Sequence, residues 1–173
     1  KFPRMDLDAW PDLKLSQYKV QAEGIDKPIA ELIVAQQGDG PRVLTYWKNS
    51  TNEILYNLDR KPSELSALAA VIGKHAPKDA LILSWWDTSR QIKLLTGHDT
   101  LFTSHLNEPL MVPVAWLEQS KAIMAYENQF WESSANSKEQ EQFKRFSQAL
   151  AASAEEGVAQ LRELIGSNRE AYL

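Results

Sequence analysis

The chain has no cysteine, which excludes disulfides, thiolate metal sites, cysteine nucleophiles and c-type haem attachment within it. Glycine is sparse, seven in 173 residues, and most glycines stand alone at turns. Neither the phosphate-binding P-loop spacing nor the dinucleotide-binding glycine pattern occurs. No nucleophile elbow surrounds Ser84 or Ser104, and no glycine flanks either serine to open an oxyanion hole, so a serine hydrolase built with a His and an Asp has no framework here. The absence of any assembled catalytic motif argues against an enzyme. Long apolar runs are missing too: nothing approaches the roughly 18 residues that span a bilayer, and no secretory signal pattern opens the chain. Charge of one sign is also lacking. The 23 acidic and 19 basic residues leave a net charge of -4, with no footprint for nucleic acid or anionic lipid. We expect no nucleic-acid partner. Because the first residue is Lys1 and not Met, we expect a membrane anchor, if there is one, in a segment upstream.

What is present suits one α/β domain over residues 1–173, with a mixed sheet, an N-terminal antiparallel meander, a central βαβ unit and two long C-terminal helices. Residues 1–13 form an extended lead-in, with Trp10 as its anchor. Tyr18, Val20 and Ala22 alternate with polar residues as in a strand over 15–22. Further strands are expected at 28–36, 42–48 and 53–58, the first two joined through the turn Gly38-Asp39-Gly40-Pro41. Asn49-Ser50-Thr51 spells a glycosylation acceptor, a triplet that polar turns also produce by chance. Pro62-Ser63-Glu64 opens a helix, with Ser63 as the natural N-cap, and Leu65, Leu68, Val71, Ile72 and His75 recur on one face up to Pro77.

Residues 80–103, ALILSWWDTSRQIKLLTGHDTLFT, form the centre of the chain. Ala80 to Ser84 is apolar on both faces, as in an interior strand. Asp87 or Thr88 can cap a helix that runs to Leu95, Gly97 fits a left-handed C-terminal cap, and residues 100–103 return as strand. A helix follows over 114–133. A second, long helix over 137–166 opens on the capping box Ser137–Gln140 and carries Phe143, Phe146, Leu150, Ala154, Val158, Leu161 and Ile165 in a single stripe.

Two constellations could carry function. Trp85, Trp86 and Asp87 with Arg90 lie where open α/β sheets place ligands. One indole can enter the core while the other stands at the edge beside a carboxylate, and the adjoining loop supplies Asn107 and Glu108. The same residues also admit a purely structural reading, with both indoles in the core and Asp87 capping the helix. His98, Asp99, His105 and Glu108 include metal-ligating types, but their spacing fits no metal motif. His98 and His105 are therefore weak metal candidates, and no cofactor is expected.

Residues 64–102, from ELSALAAVIGKHAPKDALILS through WWDTSRQIKLLTGHDTLF, resemble the soluble WWD region of oligosaccharyltransferase catalytic subunits. In that family the motif recognises an acceptor hydroxyl. Only Trp85, Trp86 and Asp87 carry over, since Thr88-Ser89 stands where that family has Tyr-Gly. The resemblance implies a ligand- or glycan-binding domain. A wider stretch, SWWDTSRQIKLLTGHDTLFTSHLNEPLMVP with Trp116 and FWE at 130–132, is similar to the HaoB family. Those are hydroxylamine oxidation proteins of ammonia- and methane-oxidising bacteria, encoded beside an octahaem hydroxylamine oxidoreductase. This resemblance implies a periplasmic portion of a protein anchored to the inner membrane, with an accessory role in hydroxylamine oxidation and a multihaem hydroxylamine oxidoreductase as partner. On that reading Trp85, Trp86, Asp87, Arg90, Asn107 and Glu108 are the contact residues.

Overall fold

The computed structural model describes residues 10–21, 26, 28, 30–49, 62–106, 114–131, 137–166 and 169–173. Strands β1 (Leu13–Val20), β2 (Ala30–Gln37) and β3 (Val43–Asn49) form an antiparallel sheet in the order β1-β2-β3. The alternation in the sequence sets the two faces. Tyr18, Leu32 and Val34 point one way, while Leu13, Leu15 and Ala35 point the other. Each face has its own apolar cover: Phe130 and Trp131 on the first, Leu65, Ala69 and Leu95 on the second. Between Ile33 and Val34 the register with β3 slips, leaving Thr45 opposite no partner. Its hydroxyl donates to the Ile33 carbonyl at 3.0 Å, which fastens the bulge.

Helix α1 (Pro62–His75) has Pro62 in its first turn, a position where a missing N–H costs nothing. Glu64 in the first turn and Lys74 and His75 in the last suit the helix dipole. Strand β4 (Leu81–Ile82), helix α2 (Trp86–Thr96) and strand β5 (Asp99–Thr100) make the expected parallel βαβ unit. Strand β4 lies between β5 and a C-terminal strand β6 (Ala171–Tyr172), parallel to both. Among the described residues the meander and the βαβ unit thus build two separate three-stranded sheets, one antiparallel and one parallel, and do not share a mixed one. Gly97, at φ 73°, ends α2 and returns its N–H to the Lys93 carbonyl, as a left-handed cap does.

A 3-10 turn (Val114–Gln119) leads into α3 (Ser120–Trp131). The expected continuous helix over 137–166 is instead a hairpin of α4 (Ser137–Ala151) and α5 (Ala154–Ile165). Ser153 breaks it by capping α5, its Oγ accepting from the Glu156 N–H. The expected fourth strand at 53–58 and the Asn49-Ser50-Thr51 triplet lie wholly or partly outside the described residues. Trp10 is the anchor expected of it: its indole N–H donates to the Leu95 carbonyl at 2.7 Å, and its ring packs against the Leu13–Ala35 cluster.

Helix α2 joins the two halves. It is rich in polar residues, yet Thr88, Ser89, Arg90 and Gln91 are buried. Among the described residues β3 is the outer strand of its sheet, and carbonyls on it and just before it take donors from α2. Gln91 Nε2 donates to the Leu44 carbonyl at 2.7 Å and Arg90 Nη2 to that of Arg42 at 2.6 Å. On the other side Ser89 Oγ donates to the Ser84 carbonyl. The polarity that would put α2 on the surface is consumed in covering a sheet edge.

Candidate functional site

The residues at the C-terminal end of β4 divide between core and surface. Trp85 occupies the N-cap position of α2 with no side-chain capping bond. It is half-buried, edge-on to Phe143 with ring centroids 4.6 Å apart. Trp86 is buried in the cluster of Leu81, Phe102, Leu106 and Phe146. Asp87 was expected as an N-cap but sits inside the first turn, where its Oδ1 accepts from the backbone N–H and hydroxyl of Thr88. Arg90, expected at a recognition edge, is 4% exposed. Trp86 and Arg90 share the inward face of α2 because they are one helical turn apart. The sequence placed them at a strand end, where neighbours alternate, and the helix begins one residue too early for that. Asn107 and Glu108 lie outside the described residues.

Around Arg90 four elements converge. Its Nη1 meets His105 Nδ1 at 3.1 Å. Because arginine only donates, Nδ1 must be the acceptor and the imidazole carries its proton on Nε2. The ring of His105 stacks on Trp131 with centroids 4.5 Å apart and meets Trp86 edge-on at 4.7 Å. The guanidinium itself lies 5.9 Å from the Trp131 ring centre, a cation–π contact. Glu139, in the first turn of α4, reaches back to accept from the Thr103 N–H at 3.1 Å, the Thr103 hydroxyl at 2.9 Å and the Ser104 N–H at 3.2 Å. The loop carrying His105 is thereby held at both ends, by α4 and by α2.

The electrostatics follow from burial. Desolvation lowers Arg90 to about 10, with the charge of Glu139 partly restoring it. Desolvation, seconded by the positive charge of Arg90, lowers His105 to about 3. Burial alone would raise Glu139, but the hydrogen bonds from Ser104 and Thr103 outweigh it and hold the carboxyl below its usual value. His105 is therefore neutral at ordinary pH with its Nδ1 lone pair engaged by Arg90, which leaves that nitrogen unfit as a general base or metal ligand.

The other expected pairings do not form. His98 is buried, with Nε2 3.4 Å from the Ala76 carbonyl, far in partnership from His105. Asp99 is at the surface, pulled low first by its hydrogen bond from Arg169 and then by Lys93. Among the described residues no group of three or more His, Asp and Glu side chains gathers as a metal site. Ser84 pairs with Ser89, Oγ to Oγ at 2.8 Å, and Ser104 with Glu139; neither engages an imidazole.

Sequence reasoning missed Glu139, Arg42 and the role of Trp131 in this cluster. Trp131 was visible as part of FWE, but Glu139 acts on a loop 36 residues away, and no local signal announces such a partner. A family model described as HaoA-associated protein HaoB matches residues 1–173. No curated protein and no solved structure matches the chain.

Proposed function

The chain belongs to the family of HaoA-associated protein HaoB over residues 1–173, and from that premise we propose that it is a non-catalytic, periplasm-facing domain that binds a multihaem hydroxylamine oxidoreductase. The family gives it an accessory role in hydroxylamine oxidation. That match carries the reading. The geometry supports it through what the most chemically suggestive residues do: His105 Nδ1 is engaged by Arg90 Nη1 and Arg90 Nη2 by the Arg42 carbonyl, and Glu139 gives its oxygens to a loop.

The contact surface we assign is Trp85 and Asp87, both half-buried, together with Asn107 and Glu108. Trp86 and Arg90 stand behind it as support. Glycan recognition in the manner of the WWD resemblance would call for an exposed indole face next to the carboxylate, and the indole adjoining Asp87 is Trp86, which is in the core.

Co-purification tests the proposal. The tagged domain should enrich the oxidoreductase from a periplasmic extract above an unrelated periplasmic domain, and a Trp85→Ala, Asp87→Lys variant that still folds should lose most of that enrichment. No enrichment by the unmodified domain defeats the reading. Retention of binding by the variant would move the contact elsewhere.

A further inference from the structure

A guanidinium as enclosed as that of Arg90 ordinarily meets a carboxylate, because an ion without a counter-charge gives up several kcal/mol of hydration on burial. Among the described residues its direct partners are all neutral: the His105 Nδ1 lone pair, the Arg42 carbonyl and the Trp131 ring. Ion pairs among the described residues lie elsewhere, at the surface. The carboxylate that acts on Arg90 through space is Glu139, whose oxygens are given to Thr103 and Ser104. One donor of the guanidinium remains: its Nε–H is buried and meets no acceptor among the described residues.

We propose that the Nε–H of Arg90 anchors an interior site for a small inorganic monoanion of halide size, beside His105 and Trp131. A water there would satisfy the hydrogen bond but leave the charge uncompensated, whereas a monoanion supplies acceptor and counter-charge together. Small size follows from the packing, since Ser89 and Gln91, the residues on either side of Arg90 in the chain, are both buried, as is Trp86 one turn before it. Weak hydration favours the larger halides, because an anion must shed its water to enter an apolar interior. Bromide and chloride therefore bind ahead of fluoride.

Thermal unfolding of the whole chain at fixed pH and ionic strength, in the millimolar range where general salt effects are small, tests the proposal. Replacing fluoride by bromide should raise the melting temperature in a saturable way, with the unfolding constant falling about 100-fold at 100 times Kd. Crystals grown in bromide should show an anomalous peak within hydrogen-bond distance of Nε. In Arg90→Lys, which keeps the charge and loses the fork, the halide dependence should vanish. If that variant does not fold, the unmodified protein decides alone. Identical melting in fluoride and bromide, or a fully occupied water at Nε with no anomalous signal, overturns the proposal.

Discussion

His105 shows how much one residue can tell about its surroundings. Folded, it remains neutral to about pH 3, while its ordinary value is 6.5. Between those two the unfolded chain binds a proton that the folded chain refuses. The stability due to neutral His105 is therefore whole above pH 6.5 and drains as the pH falls toward 3, by about 1.4 kcal/mol for each pH unit. Replacing it by asparagine, whose amide oxygen can still accept from Arg90, removes the titration while keeping the bond. Urea unfolding at pH 7 and pH 5 should show the unmodified protein losing about 2 kcal/mol more than His105→Asn. Parallel losses would mean that the imidazole is not buried as described. None of this was legible beforehand: His105 looked like a weak metal candidate because its chemistry is local, while its burial comes from Trp86 and Trp131, which are distant in sequence.

For elements, the instructive case is the break between α4 and α5. The apolar stripe from Phe143 to Ile165 keeps helical spacing straight through it, and periodicity alone reads one helix. Yet Ser153 and Glu156 also spell a capping box, and in the structure Ser153 Oγ lies 3.2 Å from Glu156 Oε2 as well as capping its N–H. The fold-back brings Gly157 against Ala149 so closely that a Cβ on Gly157 would stand 2.5 Å from the Ala149 carbonyl oxygen. It also turns Leu150 and Val158, both members of the stripe, outward at 47% and 48% exposure. Gly157→Ala should therefore destabilise the protein by roughly 1 to 3 kcal/mol through overpacking, although alanine is the better helix former by about 1 kcal/mol. Chemical denaturation of the two proteins measures the sign. A stabilised variant would mean that the helices are not in contact there.

Across the whole molecule, the C-terminal strand closes the parallel sheet. Strand β4 has only two residues in register with each neighbour, and on one side its donors depend on β6. The Leu81 N–H bonds the Glu170 carbonyl at 2.9 Å and the Leu83 N–H that of Tyr172 at 2.7 Å. Arg169 adds a bond from Nε to the Asp79 carbonyl and an exposed ion pair with Asp99 at 2.7 Å. The ion pair should matter little, since solvent screens it. The lost strand should matter more, because it orphans two amides beside the Phe102 cluster. Removing residues 169–173 should speed hydrogen exchange at Leu81 and Leu83 at least tenfold, whereas Arg169→Ala should leave it within about twofold. Equal protection after truncation would show that β6 adds nothing to β4.

The α/β class, the meander, the βαβ unit at 80–103, the Gly97 cap and the Trp10 anchor could be read from the chain, because alternation, turn residues and caps act within a few neighbours. The division into two sheets, the break at Ser153 and the burial of Trp86 and Arg90 could not. These depend on which faces meet. A polar helix becomes the centre of this molecule only because the carbonyls at the edge of β3 take up its donors, and that is decided where the two halves pack.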